Sequence, residues 1–140
     1  MSDKMKRTIA RIVAMMILYH YDLTKELDID LTMDLIKPEE EYDEVMAKEL
    51  VDGVIANLRK LDHTISIYLD HYTLDRLSYV DRALIRIGTY ELMFTNTPTS
   101  IIINEIIEIS KEYSEVDDFN TAKFNNSLLD KIAKGLKNGD

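Results

Sequence analysis

Between Tyr79 and Phe94 the chain interleaves a wide apolar surface with four charges. Read at helical period, Val80, Ala83, Leu84, Ile87 and Gly88 share one face, and Ile85, Leu92 and Met93 widen it beyond what a surface helix needs. Such a helix has to be covered on more than one side. Of its charges, Asp81 and Arg82 read as an outward pair, and Arg86 and Glu91 as lying nearer the apolar seam. Five residues apart, Arg86 and Glu91 do not meet along one helix face, so each needs a partner elsewhere, with Glu105 or Asn104 the natural choice.

The same periodicity divides the rest of the chain. A first helix is predicted from near Asp3, a possible N-cap, to about Leu23, with Ile9, Ile12, Val13, Met16 and His20 in one stripe and Ile17 and Tyr19 broadening it. Thr24 to Ile36 alternates acidic and apolar residues, and reads either as a short helix packed by Leu31, Leu35 and Ile36 or as an irregular segment. Pro38 suits the first position of a new helix, with Glu39, Glu40 and Glu41 against its positive end. Tyr42 to Leu61 repeats at three and four, and Gly53 in its middle marks a close helix crossing. Asp62 is predicted to cap a further helix to about Tyr72, carrying Ile65, Leu69 and Tyr72 on one side. After a turn over Thr73 to Leu77, Ser78 is placed to cap the central helix.

Beyond the loop that contains Pro98, Thr99 or Ser100 caps a helix running to Tyr113. Its β-branched isoleucines would suit a strand, but the three-four repeat over this length favours a helix. A polar loop from Ser114 to Asn120 leads to a last helix capped by Thr121, with Phe124, Leu128, Ile132 and Leu136 spaced at four and Gly135 and Gly139 at its fraying end. The pattern as a whole predicts an all-α protein of about seven helices.

Composition agrees: Gly 4 and Pro 2 are few in 140 residues, and 46% hydrophobic residues supply a core for one domain. There is no cysteine, which rules out disulfides and thiolate metal sites and suits a reducing cytoplasm. The longest apolar run, Ile12 to Tyr19, is too short to span a bilayer. A net charge of -9 argues against nucleic acid, but its distribution softens the objection. Lys4, Lys6, Arg7 and Arg11 face only Asp3 near the start, Lys123, Lys131, Lys134 and Lys137 outnumber the acids near the end, and the acid concentrates between Asp22 and Glu49. Screening over about 8 Å lets a local basic patch act on an acidic protein. Lys4, Arg7 and Arg11 share a helical face, which reads either as a solvated first turn or as a strip spaced for a phosphate chain.

Catalytic chemistry finds little to stand on. His20 lies on the first helix's apolar stripe, and His63 and His71 are two helical turns apart, too far for one metal. Neither a zinc-protease motif, a phosphate-binding glycine loop nor a nucleophile elbow occurs, so neither enzyme, metal nor cofactor is expected.

The segments RTIARIVAMMILYHYDL, ELVDGVIANLRKLD, LSYVDRALIRIGTYEL, INEIIEISKEY and KFNNSLLDKI resemble, in order and spacing, the NusB family of bacterial transcription antitermination factors. The resemblance covers all but the acidic region from about Leu27 to Tyr42. It implies a single NusB-like domain over residues 1–140, built as two packed antiparallel helical subdomains, about 1–72 and 73–140. It also implies a cytoplasmic adaptor that pairs with NusE, a small-subunit ribosomal protein, holds the boxA RNA of ribosomal-operon transcripts and joins the RNA polymerase antitermination complex.

By that resemblance the RNA surface comprises Lys4, Lys6, Arg7, Arg11, Tyr19, Lys123, Phe124 and Asn126, lying on the two basic ends of the chain brought together across the central helix. Cations would position the phosphate chain while Tyr19 and Phe124 stack on unpaired bases; read without the family, Phe124 is equally a core residue. The NusE contact falls on Asp75, Arg76 and Asp81. Two departures stand out: Asn125 and Ser127 in KFNNS replace the small apolar residue and glycine usual around the motif's asparagine, and the N-terminal basic cluster is thin. They favour an alternative, a helical interaction module or homodimer that does not bind RNA.

Overall fold

The computed structural model describes residues 1–70, 73–114 and 119–139, with Phe119 described by its backbone. Among them are seven α-helices, one 3-10 turn and no strand: α1 (Asp3–Thr24), α2 (Ile29–Ile36), α3 (Glu44–Ala56), α4 (Leu58–Tyr68), the turn Leu74–Arg76, α5 (Tyr79–Phe94), α6 (Thr99–Tyr113) and α7 (Phe119–Lys137). His71, Tyr72 and most of the polar loop expected from Ser114 to Asn120 lie outside the described residues.

The stretch from Tyr79 to Phe94 is the central helix. Nine of its sixteen residues are buried, and α1, α3, α4, α7 and α6 pack around it. Ser78 caps it as expected, accepting from the Asp81 amide at 3.2 Å. One cluster of buried side chains runs from Ala10 through Val54 and Leu84 to Ile132, joining helices from both ends of the chain. Two glycines let helices close on it. A Cβ at Gly53 would stand 2.3 Å from the Tyr90 ring, so the α3–α5 crossing is as close as the sequence suggests; Gly88 on α5 faces Leu129 and Ile106 at 3.1 and 3.2 Å. Gly135 is not a fraying end: it lies inside α7 against Tyr68, whose hydroxyl occupies the place of a side chain.

Several boundaries differ from the sequence reading for identifiable reasons. Ser2, not Asp3, caps α1, accepting from the Met5 amide at 3.1 Å. The single helix expected from Tyr42 to Leu61 breaks at Asn57, which leaves the helical region at φ -113° and ψ 19° while its backbone and side-chain amides both donate to the Gly53 carbonyl, at 3.1 and 2.8 Å; α4 starts at Leu58 rather than after Asp62. Pro38 opens no helix. It follows Lys37, the left-handed residue that closes α2, and residues 38–43 run irregularly until Asp43 caps α3. At the other end, α6 opens directly after Pro98, and Thr121 lies within α7 instead of capping it.

The far end of α1 is fixed to α5 by a charged cluster. Asp22 receives Nη1 of Arg82 at 2.9 Å and Nη1 of Arg86 at 3.5 Å, and Lys25 at 3.0 Å, while Arg86 grips Asp62 of α4 with two bonds of 2.9 Å. Arg82, expected to point outward, spends its remaining donors on the carbonyls of Leu74, Asp75 and Leu77 and so holds the 3-10 turn against α5. Arg86 is paired within the fold, as its place near the seam implies, though with Asp62 and Asp22 and not with α6. A step of five residues turns a helix by about 140° past full circle, which sends Arg86 and Glu91 to different neighbours.

Burial works to raise the carboxyl of Asp22, but the Lys25 hydrogen bond and the Arg86 and Arg82 charges outweigh it and hold the group below the ordinary carboxylate value. A depressed carboxylate contributes stability above its unfolded value of about 4 that is lost as the pH falls through the folded one. Asp22→Asn should therefore cost about 2 kcal/mol at pH 7, with the gap from the parent closing below about pH 4. Urea melts of both proteins at pH 7 and pH 3 check this; a gap that is the same at both values rules the Asp22 cluster out as its source.

Candidate nucleic-acid and partner interface

The first turns of α1 present Lys4 and Arg7 to solvent, with Lys6 half-buried and 3.5 Å from Glu41. Arg11 is different. It is 2% exposed, and its Nε and Nη2 fork onto Glu91 of α5 at 2.8 Å each while Nη1 reaches Glu105 of α6 at 3.1 Å. Glu105 also accepts from the Thr8 hydroxyl. The guanidinium expected on an RNA strip is thus consumed inside the protein, joining three helices. Helical spacing alone could not separate Arg11 from Arg7; the signal lay in its sequence neighbours, Ala10, Val13 and Ala14, all of which are core residues.

Asp81 likewise turns inward. At 2% exposure it accepts from the Ser78 hydroxyl at 2.8 Å, Ser114 at 3.0 Å, Ser110 at 3.2 Å and the Asn125 amide at 3.1 Å. It is therefore unavailable to a partner surface and instead ties the start of α5 to α6 and α7. Asn125 is 0% exposed and also donates to Ser110 at 3.2 Å, leaving its Oδ1 as a buried acceptor with no partner. The asparagine that departs from the family pattern thus has a structural reason: a buried carboxylate needs donors, and Asn125 is one. Ser127 is exposed.

Arg11 meets Glu91 and Asp22 meets Arg82, so α1 runs antiparallel to α5. Lys4, Lys6 and Arg7 consequently lie at the C-terminal end of α5, and Tyr19 lies at its start, where its ring meets Tyr79 edge-on at 6.0 Å. Asn125 places the first half of α7 at that same starting end, with Lys123 and Asn126 exposed and Phe124 half-buried against the core. Lys4 and Arg7 therefore do not form one patch with Lys123 and Asn126. From Lys4 to Tyr19 is about 22 Å along α1, so they bracket the length of the central helix. Tyr79 was not anticipated. It stands exposed beside Tyr19 with the Arg82 guanidinium 5.0 Å from its ring centre, and the sequence carries no local signal for that orientation.

Asp75 and Arg76 are both exposed on the 3-10 turn. A hydrogen bond from the Thr73 side chain, then its own backbone amide, hold the Asp75 carboxyl below its ordinary value, so Asp75 keeps its negative charge beside the cation of Arg76. Among the described residues no three His, Asp or Glu side chains are grouped to hold a metal ion, and no helix is long and apolar enough to cross a membrane.

Comparison with known proteins adds the following. Residues 8–134 match the model of the NusB family. A transcription antitermination protein NusB of Campylobacter jejuni subsp. doylei is 42% identical over 88 residues, which cover 63% of this chain and 64% of that relative. One from Helicobacter hepaticus is 35% identical over 130 residues, 91% of this chain and 82% of its own. Among solved structures, NusB of T. maritima superposes with a TM-score of 0.78 at 36% identity, covering 91% of this chain and 90% of that one. The complex of antitermination factors NusB and NusE with double-stranded RNA gives 0.78 at 28% identity over 91% and 96%.

Removing one member of a buried ion pair strands the other. Arg11→Met should lower stability by about 3–5 kcal/mol, and adding Glu91→Leu should restore much of the loss; thermal melts of the single and double variants measure both, and a single variant as stable as the parent contradicts the pairing. Asp81→Lys should fail by its fold before any partner is tested, with a markedly lower melting temperature, because it buries a longer, cationic side chain where four donors converge on a carboxylate.

Proposed function

This chain belongs to the NusB family, and on that footing we propose that it is an RNA-binding antitermination adaptor that pairs with NusE and, with it, holds boxA RNA in the RNA polymerase antitermination complex. The observation that carries this reading is a pair of surface features at the two ends of α1: exposed Lys4 and Arg7 on its first turns, and the half-buried Tyr19 ring against exposed Tyr79 near its end. Lys4 and Arg7 engage phosphates. About 18 Å further along the helix from Arg7, Tyr19 and its neighbour Tyr79 offer stacking faces to unpaired bases. Lys123, Phe124 and Asn126 on α7 extend the same surface at the aromatic end, and Lys6 contributes to the cationic end. Arg11 supports the site from below by fixing the helix that carries it.

NusE, a basic ribosomal protein by the family resemblance, would meet Asp75 and Arg76 on the 3-10 turn. Asp81 acts there only indirectly, by anchoring the start of α5. The protein's -9 charge favours encounter with such a partner while leaving little non-specific affinity for RNA. The reading assigns binding and positioning rather than a catalytic step, and a place in the cytoplasm. Asn125 is spent inside the fold, so of the KFNNS departure only the exposed Ser127 can bear on RNA contact.

Titrating a boxA-containing RNA against the chain with and without NusE, across salt, tests the reading. The complex should weaken with salt yet keep its preference over a scrambled RNA. Lys4→Ala and Arg7→Ala should each flatten the salt dependence by about 0.7 in log–log slope, as one lost contact to a single strand requires. Tyr19→Ala should cost about 1–3 kcal/mol, one stacked base, with little change in slope. Absence of preference for boxA at every salt concentration defeats the proposal.

A further inference from the structure

The surface feature that RNA and NusE leave unused is α2. All of the strongly exposed leucines among the described residues, Leu23, Leu27, Leu31 and Leu35, fall within thirteen residues at the end of α1 and along α2. Leu31 is 51% and Leu35 65% exposed, the reverse of the expectation that they pack the helix. The inner face is supplied instead by buried Thr32 and by Ile29, Met33 and Ile36, which lie against the core.

Nor is α2 a frayed segment. Asp28 caps it, accepting from the Leu31 amide at 3.0 Å, and Lys37 closes it in the left-handed region at φ 45°, its amide bonded to the Met33 carbonyl. The Thr32 hydroxyl donates to the Asp28 carbonyl at 2.7 Å and lies 3.3 Å from Nδ1 of His20, which fixes α2 on α1. A helix held this firmly presents its outer leucines as a formed ridge, and a contiguous apolar ridge in water marks a contact surface.

We infer that the outer face of α2 is a docking ridge for a cationic amphipathic helix of a partner protein. Charge selects the occupant. From Leu23 to Glu41 seven carboxylates stand against two lysines, and Asp30, Asp34, Glu39 and Glu40 have no ion-pair partner among the described residues. Lys25 is already engaged by Asp22. RNA and anionic membranes bear the same sign as this surface, and a second copy would bring an equally acidic ridge against it. A helix with lysine or arginine beside its apolar residues meets neither obstacle.

The spacing sets the match. Leu31 and Leu35 form an i, i+4 apolar pair, and Asp30 and Asp34 form a parallel row one residue behind. The complementary helix carries an apolar i, i+4 pair flanked by a cationic i, i+4 pair, with the leucines supplying affinity and the aspartates register and rate. The stretch from about Leu27 to Tyr42 is the part of the sequence without a counterpart in the family resemblance, so the ridge adds a contact to the two proposed above and does not depend on them.

The test uses the full chain and two synthetic peptides of about 15 residues, one with leucines along one helical face and lysines beside them, the other of identical composition in scrambled order. The first should bind at one-to-one stoichiometry, with NMR shift changes centred on α2, and at least tenfold more tightly than the scramble. Leu31→Ser with Leu35→Ser should weaken it at least tenfold at unchanged melting temperature, and Asp30→Asn with Asp34→Asn should reduce its salt dependence. Equal affinity for the two peptides, or equal affinity of parent and serine variant, overturns the inference. So does a dimer in sedimentation that the serine variant dissolves, because the ridge would then belong to a second copy.

Discussion

No side of α5 faces open water along its length, and that constraint governs the rest of the structure. Five helices cover it, so each charge it carries has to be neutralised by the helix it happens to face. Asp81 looks toward α6 and α7 and draws three hydroxyls and an amide; Arg82 and Arg86 look toward Asp22 and Asp62; Glu91 looks toward Arg11. These polar contacts do what apolar packing does poorly: they fix rotation and register. A ring of leucines and isoleucines tolerates small turns of one helix against another, whereas a two-pronged guanidinium–carboxylate bond does not.

The fold was largely legible because its helices announce themselves by period, and the central one by having too much apolar surface for a single face. Errors fell where a helix breaks without interrupting its apolar period, as at Asn57, or where a residue permits two roles, as Pro38 does. The interface was less legible, for a physical reason. Arg7 and Arg11 have the same chemistry and the same nominal face, and which of them is buried depends on how deeply α1 settles between α5 and α6, a tertiary fact. Asp81 was misread as outward for the same cause, since nothing local tells an aspartate near a helix start that two serines and an asparagine from distant segments will surround it. Asn125 had been visible only as a departure; its partner explains it.

The proposed binding surface and the core are consequently built from one kind of material, allocated differently. Cations at the first turns of α1 stay outside, and the next cation along is drawn in to hold that helix in place. The aromatic end of α1 is stiffened in the same way, because Arg82, which lies against Tyr79, is itself fixed by Asp22 and three carbonyls. Side chains held in this way arrive already oriented, so in the proposed complex a flexible single strand would bear most of the ordering cost.

The Arg11–Glu91 fork joins residues 80 positions apart, and this has a consequence for how the protein is made. Ribosomes add about 5–20 residues each second, so Arg11 is polymerised roughly 4–16 seconds before its anchoring carboxylate. During that interval Arg11 stays hydrated and the apolar stripe of α1 is uncovered except for what α2 and α3 shelter. The N-terminal part of the chain thus waits on α5, and the surface along α1 takes its final shape only when synthesis is well past its midpoint.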